Sequence, residues 1–597
     1  MDKTEAVKLQ ELTSEMAKAG QELAQNYIAN FPEYMKTYQE FASSYLQVSS
    51  KLVSDKDTIQ KTQTSYLNFL QSQIELSKRI GERQLDNEKS YTPVITPPAG
   101  DRRFSAPEWD ESPYYFDFIK QNYLLISQLI TEIFNSVDLD PKSKEKLSFY
   151  TKQWIDALAP SNFLITNPEA LKLAADTKGQ SIIDGFQNLL SDMQKGRITQ
   201  TDDQAFEVGK NLAITKGSVV FENEIMQLIQ YTPLTKKVAE LPLVILPPWI
   251  NKYYILDLHP DKSLVEFAVK KGQTVFMISW KNPTAEMGYL GFEDYIEKGA
   301  IKAFEVARKI CGSKQVNALG YCLGGTLLGM TLSILKSKEK TFPAAEAEKN
   351  TVNAVTFLAT MLDFTDIGPM GAIVDEALVT KLEKELSAGG VLKGSDMAQA
   401  FNSIRANELV WNYVSNNYLK GKNPSAFNVL FWTADNTNLP GKMYTYYLRN
   451  MLFENKLRIK NALRMFNVPL DLGRIDVPAY VVGTIEDHIA PCRTAFTTTE
   501  LISGPVEYIL GDSGHIMGAI NAPSVKHKYN FKFGGKLGEG FEAWQKTAKQ
   551  GEGSWWLSWE QWMSDKSGKQ IPAPVAEGSK EFPVIEPAPG RYVTEKG

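Results

Sequence analysis

The sequence predicts an α/β protein with a mostly parallel sheet, preceded by a mainly helical N-terminal region. After about Gly209, short β-branched runs alternate with helical segments, which is typical of strands covered by helices on both faces. Before that point the helical patterns are polar and carry no clear strands. The predicted strands are 241–246, 273–278, 316–319, 352–358, 478–482 and 506–510.

Length and composition limit the classes of function. With 597 residues, of which 43% are hydrophobic, the chain can bury a large core in more than one domain. Its net charge of −5 argues against a nucleic-acid-binding protein. Three cysteines without a CxxC pair do not form a disulfide framework, so we expect a reducing cytoplasm. We expect no metal, because the four histidines form no HExxH pair. The polar N-terminus predicts no signal peptide, and no apolar run predicts a transmembrane helix.

The sequence suggests three regions: an N-terminal helical arm at 1–90, a helical domain at 91–210 and a catalytic domain at 211–597. Three prolines between 93 and 98 end the arm. Within the arm, aromatic and apolar residues recur at heptad spacing, which predicts a helix that packs on its own protein or on another apolar surface. These residues are Tyr34, Tyr38, Phe41, Tyr45, Val48 and Leu52. The aromatic-rich segment at about 363–470 is too long for an ordinary loop, so we predict an inserted helical cap.

A nucleophile elbow is predicted at the end of strand 316–319. The residues from Gly320 to Gly324 read Gly-x-Cys-x-Gly and lead into an apolar helical segment. Such an elbow places its nucleophile on a sharp strand-to-helix turn, where side chains two residues away would collide. The nucleophile here would be Cys322. The helix N-terminus would favour its thiolate form.

Two further residues complete a predicted catalytic triad. Asp487 follows strand 478–482, and His515 follows strand 506–510. The order nucleophile, acid, histidine is that of the α/β-hydrolase fold, in which all three lie at the C-terminal ends of strands. Glu486 is an alternative to Asp487. His488 is an alternative to His515, or a residue lining the pocket.

The predicted chemistry is acyl transfer. His515 would take the thiol proton, and the oxyanion would be held by the Leu323 N–H and by a second N–H from the loop after strand 241–246. That second donor is Trp249 or Ile250. A thiolate that attacks a thioester forms another thioester, so the acyl group stays activated for a second transfer.

Several motifs are similar to those of polyhydroxyalkanoate synthases, and most of all to the single-subunit class I enzymes. The likeness extends from about residue 101 to the C-terminus. The matching stretches are Gly320-Tyr321-Cys322-Leu323-Gly324-Gly325, Pro247-Pro248-Trp249-Ile250-Asn251-Lys252, Phe276-Met277-Ile278-Ser279-Trp280, Leu409-Val410-Trp411-Asn412-Tyr413, Trp432 with Asp435 and Asn438, Glu486-Asp487-His488-Ile489, Ser513-Gly514-His515-Ile516 and Gly553-Ser554-Trp555-Trp556.

The resemblance implies that (R)-3-hydroxyacyl-CoA, such as 3-hydroxybutyryl-CoA, is added to a growing polyester with release of CoA. CoA is then a substrate component, and no cofactor is expected. In that family the residue matching Cys322 carries the chain, the one matching His515 activates it, and the one matching Asp487 orients the histidine or activates the 3-hydroxyl. The resemblance also implies a homodimer on cytoplasmic polyester granules, with granule-associated proteins as partners for the N-terminal region.

Because CoA is anionic, we expect cations at its entry, and Arg405 and Lys252 are the candidates. Two other functions are alternatives. A cysteine hydrolase such as a thioesterase would use the same triad, whereas a granule-coating scaffold would have an inactive site. The aromatic cap favours a polymerase, because it would exclude water from the acyl-enzyme.

Overall fold

The computed structural model describes residues 48–86, 91–111, 114–337, 350–387, 389–524 and 529–596. They form two compact units. The first contains the described residues up to Asp202 together with Ala400–Ser425, and the second contains Asp203–Gln399 and the described residues from Ala426 onward. Most of the predicted aromatic stripe, from Tyr34 to Tyr45, lies outside the described residues, as does His527.

The first unit is helical, as the sequence predicts. Two of its helices start with the same pair of signals. Asp140 and Asn167 are N-cap residues that each accept a hydrogen bond from a backbone N–H of the first turn, and a proline follows each of them directly. The segment from Pro168 to Lys195 forms two helices, separated at Gly179, whose φ is +88°. The α-helices are α1 (Lys56–Asp86), α2 (Tyr115–Ser136), α3 (Pro141–Ala157), α4 (Pro168–Asp176) and α5 (Gln180–Lys195).

Residues 400–425 belong to the first unit rather than to the predicted insertion at 363–470. The Tyr418 hydroxyl donates to Asp192 at 2.8 Å, and Lys420 forms an ion pair with Glu169 at 2.6 Å. A Cβ added at Gly185 of α5 would lie 2.0 Å from the Tyr418 carbonyl oxygen. Sequence reasoning missed this grouping because the contacting residues are far apart along the chain.

The second unit is built on an eleven-stranded mixed sheet of the described residues. The strands of the unit are β1 (Gly217–Glu222), β2 (Met226–Tyr231), β3 (Lys237–Ala239), β4 (Leu243–Leu246), β5 (Val275–Trp280), β6 (Val316–Tyr321), β7 (Val352–Leu358), β8 (Val391–Leu392), β9 (Leu439–Pro440), β10 (Arg464–Met465), β11 (Val468–Pro469), β12 (Ala479–Thr484), β13 (Val506–Gly511), β14 (Phe531–Phe533), β15 (Lys549–Gly551), β16 (Gln570–Pro572) and β17 (Glu586–Pro587). Their order in the sheet is β15-β14-β13-β12-β7-β6-β4-β5-β2-β1-β17.

The six predicted strands form the parallel centre of this sheet, from β13 through β12, β7, β6 and β4 to β5. Every residue of β4, β5 and β6 is buried, which explains their continuous apolar runs. The strands at both edges are antiparallel and were not predicted. β2 contains two glutamines and β15 is the short polar segment Lys549–Gly551, so neither shows a β-branched run.

Helices cover the sheet of the second unit. In the part of the chain that the structure describes, no helix is both long and apolar enough to cross a membrane. The α-helices are α6 (Leu264–Lys270), α7 (Phe292–Asp294), α8 (Lys302–Cys311), α9 (Leu323–Leu335), α10 (Glu376–Leu386), α11 (Gly394–Ile404, which continues into the first unit), α12 (Asn428–Ala434), α13 (Gly441–Tyr447), α14 (Cys492–Phe496), α15 (Thr498–Leu501), α16 (His515–Ala519), α17 (Phe541–Thr547) and α18 (Trp556–Lys566).

Gly185→Ala should destabilise the first unit. Its Cβ would overlap the Tyr418 backbone, so one of the two segments must move, at a cost of about 1–3 kcal/mol. The measurement is the midpoint of thermal unfolding. Gly81→Ala in α1 is the matched control, because a Cβ there meets nothing within 4 Å. Since alanine favours helix, that variant should melt at the same or a higher temperature. Equal midpoints for the two variants would contradict the close approach of residues 400–425 to α5.

Candidate active site

Cys322 lies between β6 and α9 with φ +52° and ψ −126°. A side-chain-bearing residue rarely adopts positive φ, and such strain is typical of functional sites. Its backbone N–H donates to the Leu358 carbonyl of β7 at 2.9 Å, which fixes the turn to the neighbouring strand. The residue is half-buried and stands at the N-terminus of the buried helix α9.

The two predicted glycines are required by close contacts. A Cβ on Gly320 would lie 2.4 Å from the Cα of Gly325, and a Cβ on Gly324 would lie 2.1 Å from the Leu246 carbonyl oxygen. Both distances are shorter than any real Cβ contact. The start of α9 therefore packs directly against the backbone that follows β4.

Asp487 follows β12 in a tight turn and is fully buried at its carboxylate. Oδ1 accepts hydrogen bonds from the backbone N–H groups of Ile489 and Ala490, both at 2.8 Å. Oδ2 lies 2.7 Å from Nδ1 of His515. The two backbone donors therefore hold the carboxylate with one oxygen turned toward the histidine.

His515 begins α16, directly after the loop that follows β13. Its ring stacks on the Tyr321 ring at a centroid distance of 5.4 Å. Nδ1 contacts Asp487, and Cys322 lies close enough for its charge to act on the imidazole. The structure thus brings Cys322, Asp487 and His515 together.

The charges around His515 favour its protonated form. Burial alone lowers the pKa of the imidazole, but the negative charges of Asp487 and Cys322 and their hydrogen bonds outweigh it. The pKa of His515 therefore lies well above its ordinary value. The imidazole can therefore hold the proton that Cys322 gives up. A cysteine nucleophile needs such a neighbouring base in order to become a thiolate.

The alternatives to the triad residues are placed differently. Glu486 is exposed, and its backbone N–H donates to the Ser513 carbonyl at 2.9 Å. His488 is half-buried in the turn that follows Asp487. It is Asp487, and not Glu486, whose carboxylate contacts His515.

The loop after β4, which was predicted to supply the second oxyanion donor, is held close to the elbow. The Trp280 indole donates to the Pro247 carbonyl at 3.0 Å, and Gly324 packs against Leu246. In this loop Trp249 is buried and Ile250 is half-buried. The Leu323 N–H belongs to the first residue of α9. The choice of Ile250 or Trp249 as second donor stays a prediction.

The two predicted CoA-binding cations have other partners. Lys252 is buried; its Nζ lies 2.8 Å from Asp435 and donates to the Glu595 carbonyl at 2.7 Å. Burial lowers the pKa of Lys252, and Asp435 offsets part of that effect. This internal ion pair does not favour a contact with CoA. Arg405 belongs to the first unit, is exposed and pairs with Glu408 at 3.3 Å; its role stays a prediction.

Sequence reasoning assigned no role to Tyr321 or Tyr447. Burial raises the pKa of Tyr447, and the negative charge of Cys322 raises it further. Cys322 also packs on the buried hydrophobic cluster that contains Tyr447. Tyr447 is one of many aromatic residues in the predicted cap, and nothing in its local sequence distinguished it. Among the described residues, no cluster of three or more His, Cys, Asp or Glu could hold a metal ion.

Comparisons with known proteins identify the family. Residues 100–268 match the family model described as poly-beta-hydroxybutyrate polymerase (PhaC) N-terminus, and residues 242–521 match the alpha/beta hydrolase fold. The chain is 44% identical over 84% of its length to the Poly(3-hydroxyalkanoate) polymerase subunit PhaC of Cupriavidus necator, covering 84% of that protein.

The chain belongs to the poly(3-hydroxyalkanoate) polymerase family. Two further relatives are similar. The Poly(3-hydroxyalkanoate) polymerase of Methylorubrum extorquens is 40% identical over 84% of this chain and 82% of its own length. Poly(3-hydroxyalkanoate) polymerase 1 of Ectopseudomonas oleovorans is 34% identical over 91% of this chain and 95% of its own. The predicted α/β-hydrolase fold is confirmed, and the family is one of acyltransferases.

Asp487→Asn should lower the pKa of His515. The substitution removes the larger of the two negative charges that raise this pKa and leaves the burial that lowers it. The measurement is titration of the four histidines by NMR with ¹³C-labelled histidine. Because the folded pKa is raised, the wild-type stabilisation is fully present below about pH 6.5 and is lost as the pH rises through the folded pKa. The variant should therefore lose more stability at pH 6 than at alkaline pH.

Asp512→Asn is the matched control for that titration. Asp512 is on the loop that leads to His515, but its carboxylate accepts a hydrogen bond from the Asn530 N–H at 2.9 Å. Its substitution should leave the His515 titration near its wild-type position. An unchanged His515 pKa in Asp487→Asn would contradict the assigned pair.

Proposed function

We propose that this chain polymerises (R)-3-hydroxyacyl-CoA, with short units such as 3-hydroxybutyryl-CoA, into a polyester with release of CoA. The names of its relatives support the product, since they are poly(3-hydroxyalkanoate) polymerases. The observation that carries the mechanism is the 2.7 Å contact between His515 and the Asp487 carboxylate, at the edge of the sheet that also carries the Cys322 turn.

The first half-reaction loads the enzyme. The Cys322 thiol gives its proton to His515, and the thiolate attacks the thioester carbonyl carbon. The tetrahedral oxyanion is held by the Leu323 N–H and by a donor of the loop after β4. The C–S bond to CoA then breaks, and the imidazolium protonates the leaving CoA thiolate. The products are CoA-SH and an acyl thioester on Cys322, with little change in the energy of the acyl bond.

The second half-reaction extends the chain. The 3-hydroxyl group of an incoming (R)-3-hydroxyacyl-CoA attacks the thioester carbonyl of the chain on Cys322, its proton passes to a base, and the Cys322 sulfur leaves as the thiolate. The lengthened chain is then a CoA thioester, and the first half-reaction returns it to Cys322 with release of CoA. An ester bond forms and a thioester bond breaks, which favours polymer growth. His515 is suited to be this base. Both oxygens of Asp487 are already engaged, by His515 and by two backbone N–H groups, which favours the orienting role over direct activation of the hydroxyl.

The assembly and location are part of the proposal. The family resemblance supports a homodimer on polyester granules in the cytoplasm, with the N-terminal region as the contact for granule-associated proteins. Removal of residues 1–90, the predicted N-terminal arm, is a direct test of that contact. Retention of granule binding in cells by the shortened chain would contradict it.

Cys322→Ala should abolish polymer formation. With (R)-3-hydroxybutyryl-CoA, the wild-type chain should release CoA and form insoluble polyester, and the variant should lose CoA release by a factor of about 10⁴ or more because no other group can take up the acyl chain. The measurements are thiol release and the mass of insoluble product. Cys311→Ala is the matched control, since Cys311 ends helix α8 away from any strand-to-helix turn, and it should retain activity.

Other products would identify other functions. CoA release with an equal amount of soluble 3-hydroxybutyrate would show a thioesterase. No CoA release by the wild-type chain would show a scaffold. Polymer formation by Cys322→Ala would contradict the assigned nucleophile and leave the product assignment intact.

A further inference from the structure

Four aromatic residues form a continuous wall beside the candidate nucleophile: Trp249, Phe292, Phe364 and Tyr447. The Trp249 ring meets Phe292 edge-to-face at 5.8 Å and Tyr447 at 5.7 Å, with interplanar angles of 88° and 89°. Phe364 meets the other side of Tyr447 at 5.9 Å. Edge-to-face contacts of this kind are favourable beyond the area they bury, so the aromatic wall is a fixed surface.

Two observations place this wall next to the sulfur. Cys322 packs on the buried hydrophobic cluster that contains all four aromatic residues. After burial, its negative charge is the largest influence on the pKa of Tyr447. Leu246 and Pro247, which shortly precede Trp249, touch the start of α9. A Cβ on Gly324 would lie 2.1 Å from the Leu246 carbonyl oxygen and 2.6 Å from that of Pro247. Trp249 is therefore carried by the loop that packs against the elbow.

Trp249 is almost completely buried. It is 1% exposed, whereas Cys322 is half-buried and accessible. Its indole Nε1 is buried and has no hydrogen-bond partner within the described part of the chain. Because an unpaired buried N–H is unfavourable, the indole contributes here through the size of its ring and not through its polar group.

The chemistry of the first half-reaction puts the acyl chain at this wall. The carbonyl oxygen of the bound unit points to the Leu323 N–H and to the loop after β4. Its carbonyl carbon therefore lies between Cys322 and the loop that carries Trp249, and the remaining carbons of the unit start within reach of the aromatic wall.

We propose that Trp249 sets the length of the hydroxyacyl unit that Cys322 accepts. The indole occupies the space into which the carbons beyond a 3-hydroxybutyryl unit would extend, so the site takes short units and rejects longer ones. This inference rests on the proposed function and names the feature of the site that selects its substrate.

The test compares wild type and Trp249→Ala with 3-hydroxybutyryl-, 3-hydroxyhexanoyl- and 3-hydroxyoctanoyl-CoA. Wild type should favour the butyryl unit. In the variant, the ratio of kcat/KM for the hexanoyl unit to that for the butyryl unit should rise about tenfold or more, because the added carbons gain an apolar pocket. Trp249→Leu, which leaves a smaller cavity, should shift the ratio in the same direction and serves if the alanine variant fails to fold.

Trp249→Phe separates ring size from the indole N–H. It removes the unpaired donor and keeps an aromatic ring, so it should unfold at the wild-type temperature or above and change selectivity less than Trp249→Ala. Loss of activity in this variant, with its fold intact, would mean that the N–H serves the substrate and would overturn the proposal.

Trp109→Ala is the matched control for a buried indole. Trp109 is fully buried in the first unit, its Nε1 also has no partner among the described residues, and it packs edge-to-face on Phe104 at 4.9 Å. Its loss should lower the unfolding temperature without changing the order of substrate preference. An equal selectivity shift in Trp109→Ala would mean general loosening and would overturn the proposal.

The two levels of inference fail in different ways. If wild type makes polymer from the butyryl unit and folded Trp249→Ala and Trp249→Leu keep its length profile, the role of Trp249 is wrong and the proposed function stands. If wild type makes no polymer from any of the three substrates, the proposed function fails and this inference fails with it.

Discussion

The backbone of Cys322 is the constraint on which the active site depends. A residue with a side chain at φ +52° is strained by about 1–3 kcal/mol, and surrounding contacts must hold it there. The hydrogen bond from its N–H to β7 and the absence of side chains on Gly320 and Gly324 do so. The same close packing joins α9 to the loop after β4. One turn therefore fixes the sulfur, the helix N-terminus behind it and the loop across from it.

The rest of the site follows from the parallel sheet. β6, β12 and β13 lie within one sheet, and β12 and β13 are direct neighbours in it. Their C-terminal ends deliver Cys322, Asp487 and His515 to the same edge. Because the buried Asp487 carboxylate faces His515, it outweighs the burial that would otherwise lower the pKa of the imidazole. The sulfur and the imidazole can then share a proton.

The sequence was sufficient to predict the features that depend on local patterns. Apolar runs identified the six central strands, and the residues that follow three of them identified the nucleophile, the acid and the histidine. Features set by contacts between distant residues could not be predicted. Lys252 was a candidate because anionic CoA needs a cation at its entry, but its partner Asp435 is 183 residues away and the Glu595 carbonyl is 343 residues away. For the same reason the placement of residues 400–425, the antiparallel edge strands and the position of Tyr447 were missed.

The central claim is that the acyl chain is carried on the sulfur of Cys322. Its most direct test is mass spectrometry of peptides from enzyme quenched in acid during turnover of (R)-3-hydroxybutyryl-CoA. The account predicts that one or more 3-hydroxybutyryl units are attached to the peptide containing Cys322, by a bond that neutral hydroxylamine cleaves. A growing chain found on another residue, or polymer formed while Cys322 stays unmodified, would contradict it.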